Sequence, residues 1–267
     1  KIIGLGGLTS SLSRGGADLI GKTGINITTG HAYTAHTVSR TLLKLAGILG
    51  TNKNTAVLAF VGAAGSVGST TAKLLAREGF ARFLLIDMPH KKHFFEELAT
   101  DIKRLNAHAE ITTSHQIADI KNADFIVSTT NAPEAVIQSK DLKRGAVVVD
   151  YAQPSDVAPN VFQRSDVLVV EAGIVHTPHI KNHFNFNLKD KADNFCCLAE
   201  VLTLASREWN EHYVINRATL EMVDRVAAWG KELGFRVAEF QNFNESISPK
   251  RLATIKEIIA EHHEFQP

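Results

Sequence analysis

The sequence predicts an α/β protein built on a doubly wound parallel sheet, with helical elements flanking it. Three observations carry this prediction. Short β-rich runs alternate with helical stretches from about residue 54 to 171, a rhythm that folds as parallel strands joined by crossover helices. The first run, 55–61, is almost continuously apolar, as suits a strand covered on both faces. The segment Gly62-Ala63-Ala64-Gly65-Ser66-Val67-Gly68 follows at once, and three spaced glycines are what a tight strand-to-helix turn requires.

The elements follow in order. Residues 1–50 hold two glycine-rich turns and then a helix over about 33–47, leading toward the first strand. After the glycine turn, 70–77 reads as a helix and 83–86 as a strand that ends on Asp87. Residues 93–105 are helical, with Phe94, Leu98, Ile102 and Leu105 along one stripe. Strands are expected at 111–112, 124–128, 146–150 and 167–170. Residues 190–230 read as mostly helical, and 231–267 as a short strand or loop and a final helix. Three segments result: 1–50, the remnant of a substrate domain with its linking helix; 51–189, the sheet domain; and 190–267, a C-terminal helical segment packing back on the substrate side.

Composition narrows the function classes. The chain has 267 residues, 44% hydrophobic and 21% charged, enough to bury a sizeable core. A formal net charge of +1 implies no nucleic-acid partner. No run reaches the roughly 18 apolar residues of a membrane span, so no integral membrane association is expected. The start at Lys1 has no long apolar core and no Met, and an opening so rich in glycine reads as the middle of a fold, truncated or processed upstream. The only two cysteines, Cys196 and Cys197, are adjacent, which suits neither a disulfide framework nor a cysteine-rich zinc site and points to a cytoplasmic location.

The glycine turn gives the sheet its chemistry. Its first glycine permits the turn, the second lets backbone approach a pyrophosphate, and the third lets helix pack on strand. Gly62, Ala63, Gly65, Ser66, Val67 and Gly68 therefore read as the diphosphate cradle of a Rossmann-like NAD or NADP site, where a helix N-terminus faces the phosphates. Asp87 lies 25 residues beyond Gly62, where a carboxylate binds adenosine ribose hydroxyls and favours NAD. The basic run His90-Lys91-Lys92-His93 follows it and reads either as a phosphate grip or as a solvated turn. Ser128 and Thr129 end a parallel strand, where the nicotinamide ribose commonly lies. Thr28-Thr29-Gly30 precedes a helix and reads either as a substrate- or cofactor-binding turn or as a cap.

Asn194 and Asp193 read as N-caps of a helix running to about residue 209, which places both cysteines in its first turn. On these residues alone each cysteine is either a small buried apolar group or a nucleophile whose thiolate the helix N-terminus stabilises. Among the 12 histidines, His176 follows the last strand and is placed to act as a general acid. His31 and His36 flank Tyr33, while His108, His115, His262 and His263 read as surface groups. No convincing third ligand accompanies His176 and His179, so no metal is expected.

Several segments, in order, resemble cyanobacterial long-chain acyl-[acyl-carrier-protein] reductases. They are Gly4-Leu5-Gly6-Gly7-Leu8-Thr9-Ser10, Thr28-Thr29-Gly30-His31-Ala32-Tyr33-Thr34, the glycine turn, Val147-Val148-Val149-Asp150 with Pro154, Ala172-Gly173-Ile174-Val175, and Phe195-Cys196-Cys197-Leu198-Ala199-Glu200. The resemblance implies reduction of a fatty acyl thioester, on acyl carrier protein or coenzyme A, to a fatty aldehyde with NADPH, the family's nucleophile falling on Cys197. The sequence departs from that family at Asp87, at Tyr151-Ala152-Gln153-Pro154 and at His176-Thr177. Two other readings stand beside it: a shikimate- or methylene-tetrahydrofolate-type dehydrogenase without covalent catalysis, and a dinucleotide-binding module without turnover. Assembly as a homo-oligomer is left open.

Overall fold

The structure is a computed structural model, and it describes residues 1–243 and 245–264. The side chains of His262 and His263 lie outside the described residues. The chain divides into two compact units, one of residues 1–40 with 173–239 and one of 41–172 with 240–267.

The second unit holds a parallel six-stranded sheet, as the alternation predicts. Its strands are β3 (Val57–Val61), β4 (Arg82–Ile86), β5 (Glu110–Ser114), β6 (Phe125–Ser128), β7 (Val147–Asp150) and β8 (Leu168–Glu171), in the spatial order β5-β4-β3-β6-β7-β8. That is the Rossmann-like order, and it reverses between β3 and β6; ligands of such sheets sit outside the carboxyl ends of the strands at that point. The central strands form because Val, Ile, Leu, Phe and Ala fill them up to the polar residues at their carboxyl ends, Ser128 in β6 and Asp150 in β7. Leu58, Ala59, Phe60 and Val61 are all buried, and Ala59, Val61, Ile126, Val148 and Val169 share one apolar cluster. Each large side chain fully buried there contributes about 1.5–3 kcal/mol.

Helix α3 (Ser66–Arg77) turns Val67, Thr71, Leu74 and Leu75 inward and stops at Gly79, whose φ of +95° a side chain would resist. Helix α4 (Lys92–Leu105) buries Phe95, Leu98 and Ile102 at i, i+3, i+7. The expected stripe used Phe94, which is only half-buried, because two adjacent phenylalanines fit the periodicity equally well. Helix α7 (Pro249–Glu264) belongs to this unit, with Leu252 and Ile255 buried.

The first unit is built differently. Strands β1 (Ile2–Gly4) and β2 (Asn26–Thr28) pair in parallel, with the short helix α1 (Leu8–Leu12) between them in sequence. The turns expected over 1–30 thus include a sheet of three-residue strands, too short for any periodicity to register. Helix α2 (His31–Leu49) starts in this unit, and the boundary between the units falls within it. Strands β9 (Ile174–His176), β10 (Asp193–Phe195) and β11 (Arg236–Val237) form an antiparallel sheet, β10-β9-β11. Helices α5 (Cys196–Ser206) and α6 (Leu220–Glu232) complete the unit.

The expected boundaries at 50 and 189 differ from these units: residues 173–189 fall in the first and α7 in the second. A stretch after a last strand gives no sign in its sequence of which layer will cover it. No described helix is long and apolar enough to cross a membrane.

Candidate functional site

In the second unit, three carboxyl-terminal strand ends meet the glycine turn. Gly62 has φ +86° and donates its N–H to the Ile86 carbonyl at 2.9 Å. A Cβ at Gly62 would lie 3.0 Å from the Thr129 carbonyl oxygen, and one at Gly68 would lie 2.5 Å from the Gly62 carbonyl oxygen. Gly65 is the N-cap of α3, and its own Cβ would come within 3.2 Å of that same oxygen. The three glycines therefore do three separate things: turn the chain, open the cradle and let α3 close on β3. The first-turn N–H groups of α3 have no acceptor inside the helix, and this cradle of backbone fits a diphosphate. The residues present fit a dinucleotide.

Asp87 stands where β4 ends. Its carboxylate accepts from the Ala64 N–H at 2.9 Å and the Met88 N–H at 2.8 Å, and Lys91 Nζ lies 3.1 Å away. It thus braces the glycine turn, with a cation beside it. Thr129 donates its N–H to the Val61 carbonyl and packs over Gly62. Ser128 is fully buried and its hydroxyl donates to Asp156, so its side chain organises the loop after β6 and only its backbone borders the sheet end. Asp156 also accepts from the Thr130 N–H and hydroxyl. Asp150, at the end of β7, accepts from the Ala152 N–H, the Ser155 hydroxyl and the Asp156 N–H. Burial, reinforced by Asp156, pushes the Asp150 carboxyl up to about 7. Sequence reasoning missed this buried acid pair, since an aspartate closing an apolar strand reads the same whether or not it is covered.

In the first unit, α5 begins with the two cysteines. Its N-cap is Phe195; Asp193 and Asn194, expected as caps, lie in β10. Their side chains are used across the sheet: Asn194 donates to the Thr177 hydroxyl at 2.6 Å, and Asp193 pairs with His176. The helix ends at Ser206, short of the expected 209.

Cys196 is buried, with Sγ 3.0 Å from the Thr34 hydroxyl. Cys197, the second residue of the helix, is partly buried and packs on Gly30, where a Cβ would lie 2.5 Å from Cys197 Cβ. Gly30 has φ +79°, so sterics and backbone both demand glycine beside this thiol. Burial pushes the Cys197 thiol up, against the opposing pull of the Leu198 and Cys197 backbone. Burial thus opposes the expected stabilisation of the thiolate, and desolvation outweighs the helix terminus.

Glu200, one turn beyond Cys197, is fully buried. It accepts from the Thr28 hydroxyl and from the Tyr33 N–H at 2.8 Å, and so caps the start of α2. Burial pushes its carboxyl up to about 7. The only sequence signal was its place in the Cys-Leu-Ala-Glu segment.

His176 Nδ1 lies 2.9 Å from Asp193 Oδ1 across the β9–β10 pair. A carboxylate accepts, so Nδ1 carries the proton and Nε2 is left for exchange. The register sets Phe195 against Ile174 and Asp193 against His176, so His176 sits roughly 7 Å along the strand from the start of α5. Arg236 pairs with His176 in register on the other side, in β11. Among the described residues, one ligand atom from each of His176, Asp190 and Asp193 falls within 4.8 Å of the others, a grouping that His176 and His179 alone did not suggest. Of the expected surface histidines, His108 and His115 are exposed.

The chain is similar to several known proteins. Residues 44–172 match the family described as shikimate / quinate 5-dehydrogenase. The chain is 26% identical over 272 residues to aminotransferase PigE of a Serratia species, covering 99% of this chain and 31% of that protein. It is 25% identical over 226 residues to the long-chain acyl-[acyl-carrier-protein] reductase of Synechococcus elongatus, covering 78% of this chain and 61% of the relative. Quinate dehydrogenase from Corynebacterium glutamicum, in complex with NAD, aligns at 20% identity and a TM-score of 0.34 over 43% of this chain and 41% of that one. The chain spans about a third of the first relative and three fifths of the second. The fold is a Rossmann-like parallel sheet with flanking helices.

Proposed function

We propose that the chain reduces an acyl thioester to an aldehyde with a nicotinamide cofactor, through an acyl group carried on Cys197. The observation that carries this reading is Cys197 itself, the second residue of α5, backed by Gly30, which leaves no room for a side chain against the Cys197 Cα and Cβ. The ordered resemblance to acyl-[acyl-carrier-protein] reductases, and the relative of that name, support the substrate class.

The thiol attacks the thioester carbonyl, the carrier's thiolate leaves, and the Cys197 proton passes to it, so the exchange is balanced and nearly isoenergetic. N–H groups of the first turn of α5 stabilise the oxyanion. Bound NADH or NADPH supplies hydride to the acyl carbon. His176, its tautomer fixed by Asp193, supplies the proton at the nascent oxygen, and release of aldehyde returns the Cys197 thiol. Gly62, Ala63, Gly65, Ser66, Val67 and Gly68 hold the diphosphate, Asp87 the adenosine ribose, and Ser128 and Thr129 the nicotinamide side. Asp87 favours NAD; the resemblance favours NADPH. Acyl carrier protein or coenzyme A is the thioester carrier.

A dehydrogenase without covalent catalysis is the second reading. The description of the family matched over 44–172 and the raised Cys197 thiol favour it.

Intact-protein mass spectrometry after incubation with a long-chain acyl-coenzyme A, without cofactor, decides between them. The first reading expects a gain of one acyl group, absent in Cys197→Ala and released as aldehyde on adding NADH or NADPH. No adduct, in a protein that binds NADH or NADPH when it is added separately, supports the second.

A further inference from the structure

The turn that backs Cys197 holds two buried polar atoms with nothing to bond. Thr29 is 2% exposed, yet its Oγ1 has no hydrogen-bond partner, and neither does the buried Nδ1 of His31. These residues stand on either side of Gly30, whose Cα packs on Cys197. Buried polar groups are nearly always satisfied, and one left open at a functional locus needs an explanation.

Local folding does not supply one. The backbone of the turn is engaged: the Thr29 N–H donates to the Val214 carbonyl at 3.1 Å, and the Gly30 carbonyl accepts from Thr34. The neighbouring Thr28 hydroxyl is taken by Glu200. On the His31 ring, Nε2 lies 3.3 Å from the Ser10 hydroxyl and the Asn216 backbone adds a contact, while Nδ1 stays open. The backbone is thus fixed and two side-chain atoms are left over, an arrangement suited to a ligand the protein awaits.

The chemistry of the pair limits that ligand. Burial pulls the His31 imidazole down to about 4, so it is neutral at physiological pH, and a threonine hydroxyl is neutral. Neither attracts a carboxylate or phosphate; each exchanges a hydrogen bond with an uncharged oxygen.

We infer that Thr29 and His31 form a polar subsite beside Cys197 that takes the uncharged oxygen of the acyl group, as thioester carbonyl and then as hydroxyl or aldehyde. This rests on the acyl-thioester reading above. Thr29 and His31 flank the glycine that packs on Cys197, and the bond each gains with substrate is one it lacks without it.

The test uses Thr29→Val, which keeps the shape and removes the hydroxyl, together with Thr29→Ser and His31→Leu. Three quantities are read: acylation of Cys197 by a long-chain acyl-coenzyme A, alkylation of Cys197 by iodoacetamide, and Tm without substrate. The subsite predicts acylation at least tenfold slower in Thr29→Val and His31→Leu, restored in Thr29→Ser. It also predicts alkylation within about twofold of wild type, and a Tm for Thr29→Val at or above wild type, since an unsatisfied hydroxyl has gone. Wild-type acylation rates in Thr29→Val and His31→Leu overturn the subsite alone. So does a lower Tm for Thr29→Val, which means that the hydroxyl is bonded within the protein. A wild type that takes no acyl group overturns the reading and the subsite together.

Discussion

Glu200 shows how much one side chain settles in the first unit. A carboxylate is stable inside a protein only if donors replace water, and here the Thr28 hydroxyl and the start of α2 provide them. They do not fully offset burial, because the carboxyl is pushed from 4.5 up to about 7. The folded state therefore holds the proton more tightly than the unfolded chain does. The stability this confers is complete below the unfolded value near 4.5 and lost as pH rises through about 7. For Glu200 alone the change amounts to roughly 3 kcal/mol. Asp150 shifts in the same direction for the same reason. Urea unfolding from pH 5 to 8 should show stability falling with pH, and Glu200→Gln should start lower, having lost an acceptor, with a visibly flatter slope. An unchanged slope would mean that Glu200 does not titrate in this window.

At the scale of elements, the connection from β3 through the glycine turn to α3 depends on spacing. Gly68 lies where a methyl group would meet both the Gly62 carbonyl and the Thr129 hydroxyl, at 2.5 and 2.8 Å. Neither is the free end of a flexible chain, so α3 itself must move. Gly68→Ala should cost about 1–3 kcal/mol and weaken NAD(H) or NADP(H) binding at least tenfold, read by calorimetric titration. Wild-type affinity would show that the turn has slack. This turn was legible in the sequence because its logic is local: three glycines, a strand before and a helix after. The start of α5 was less so. Asp193 and Asn194 are good caps by composition, but β10 claims them, and their side chains satisfy His176 and Thr177 across the sheet. Capping propensity is worth about 1 kcal/mol, which strand pairing and two side-chain bonds outweigh.

Neither unit of the whole molecule is one continuous stretch of chain. The sheet unit is completed by α7, which follows a long excursion into the other unit, and Arg251 fastens it. The Arg251 guanidinium donates to the Arg164 and Val167 carbonyls at 2.8 and 2.6 Å, and to that of Ser165. One charged side chain thus satisfies three carbonyls of the loop leading into β8. Arg251→Ala should lower stability by about 1.5–3 kcal/mol, seen as a reduced urea midpoint with the slope unchanged. A neutral result would locate the attachment of α7 in Leu252 and Ile255 alone.

The sequence by itself determined the doubly wound sheet, the glycine turn, the acid after β4 and the cysteine pair at a helix start. Each rests on neighbours in the chain: apolar runs, glycine spacing, the 3.6-residue period. Only the tertiary structure decided which of those groups are covered. It turned Ser128 inward onto Asp156, used Asp87 to brace the glycine turn, raised the Cys197 thiol where a thiolate was expected, and left Thr29 Oγ1 and His31 Nδ1 without hydrogen-bond partners. Desolvation and hydrogen-bond satisfaction depend on what packs against a residue from far along the chain, as Glu200 against Thr28 and Tyr33, and no local pattern encodes them.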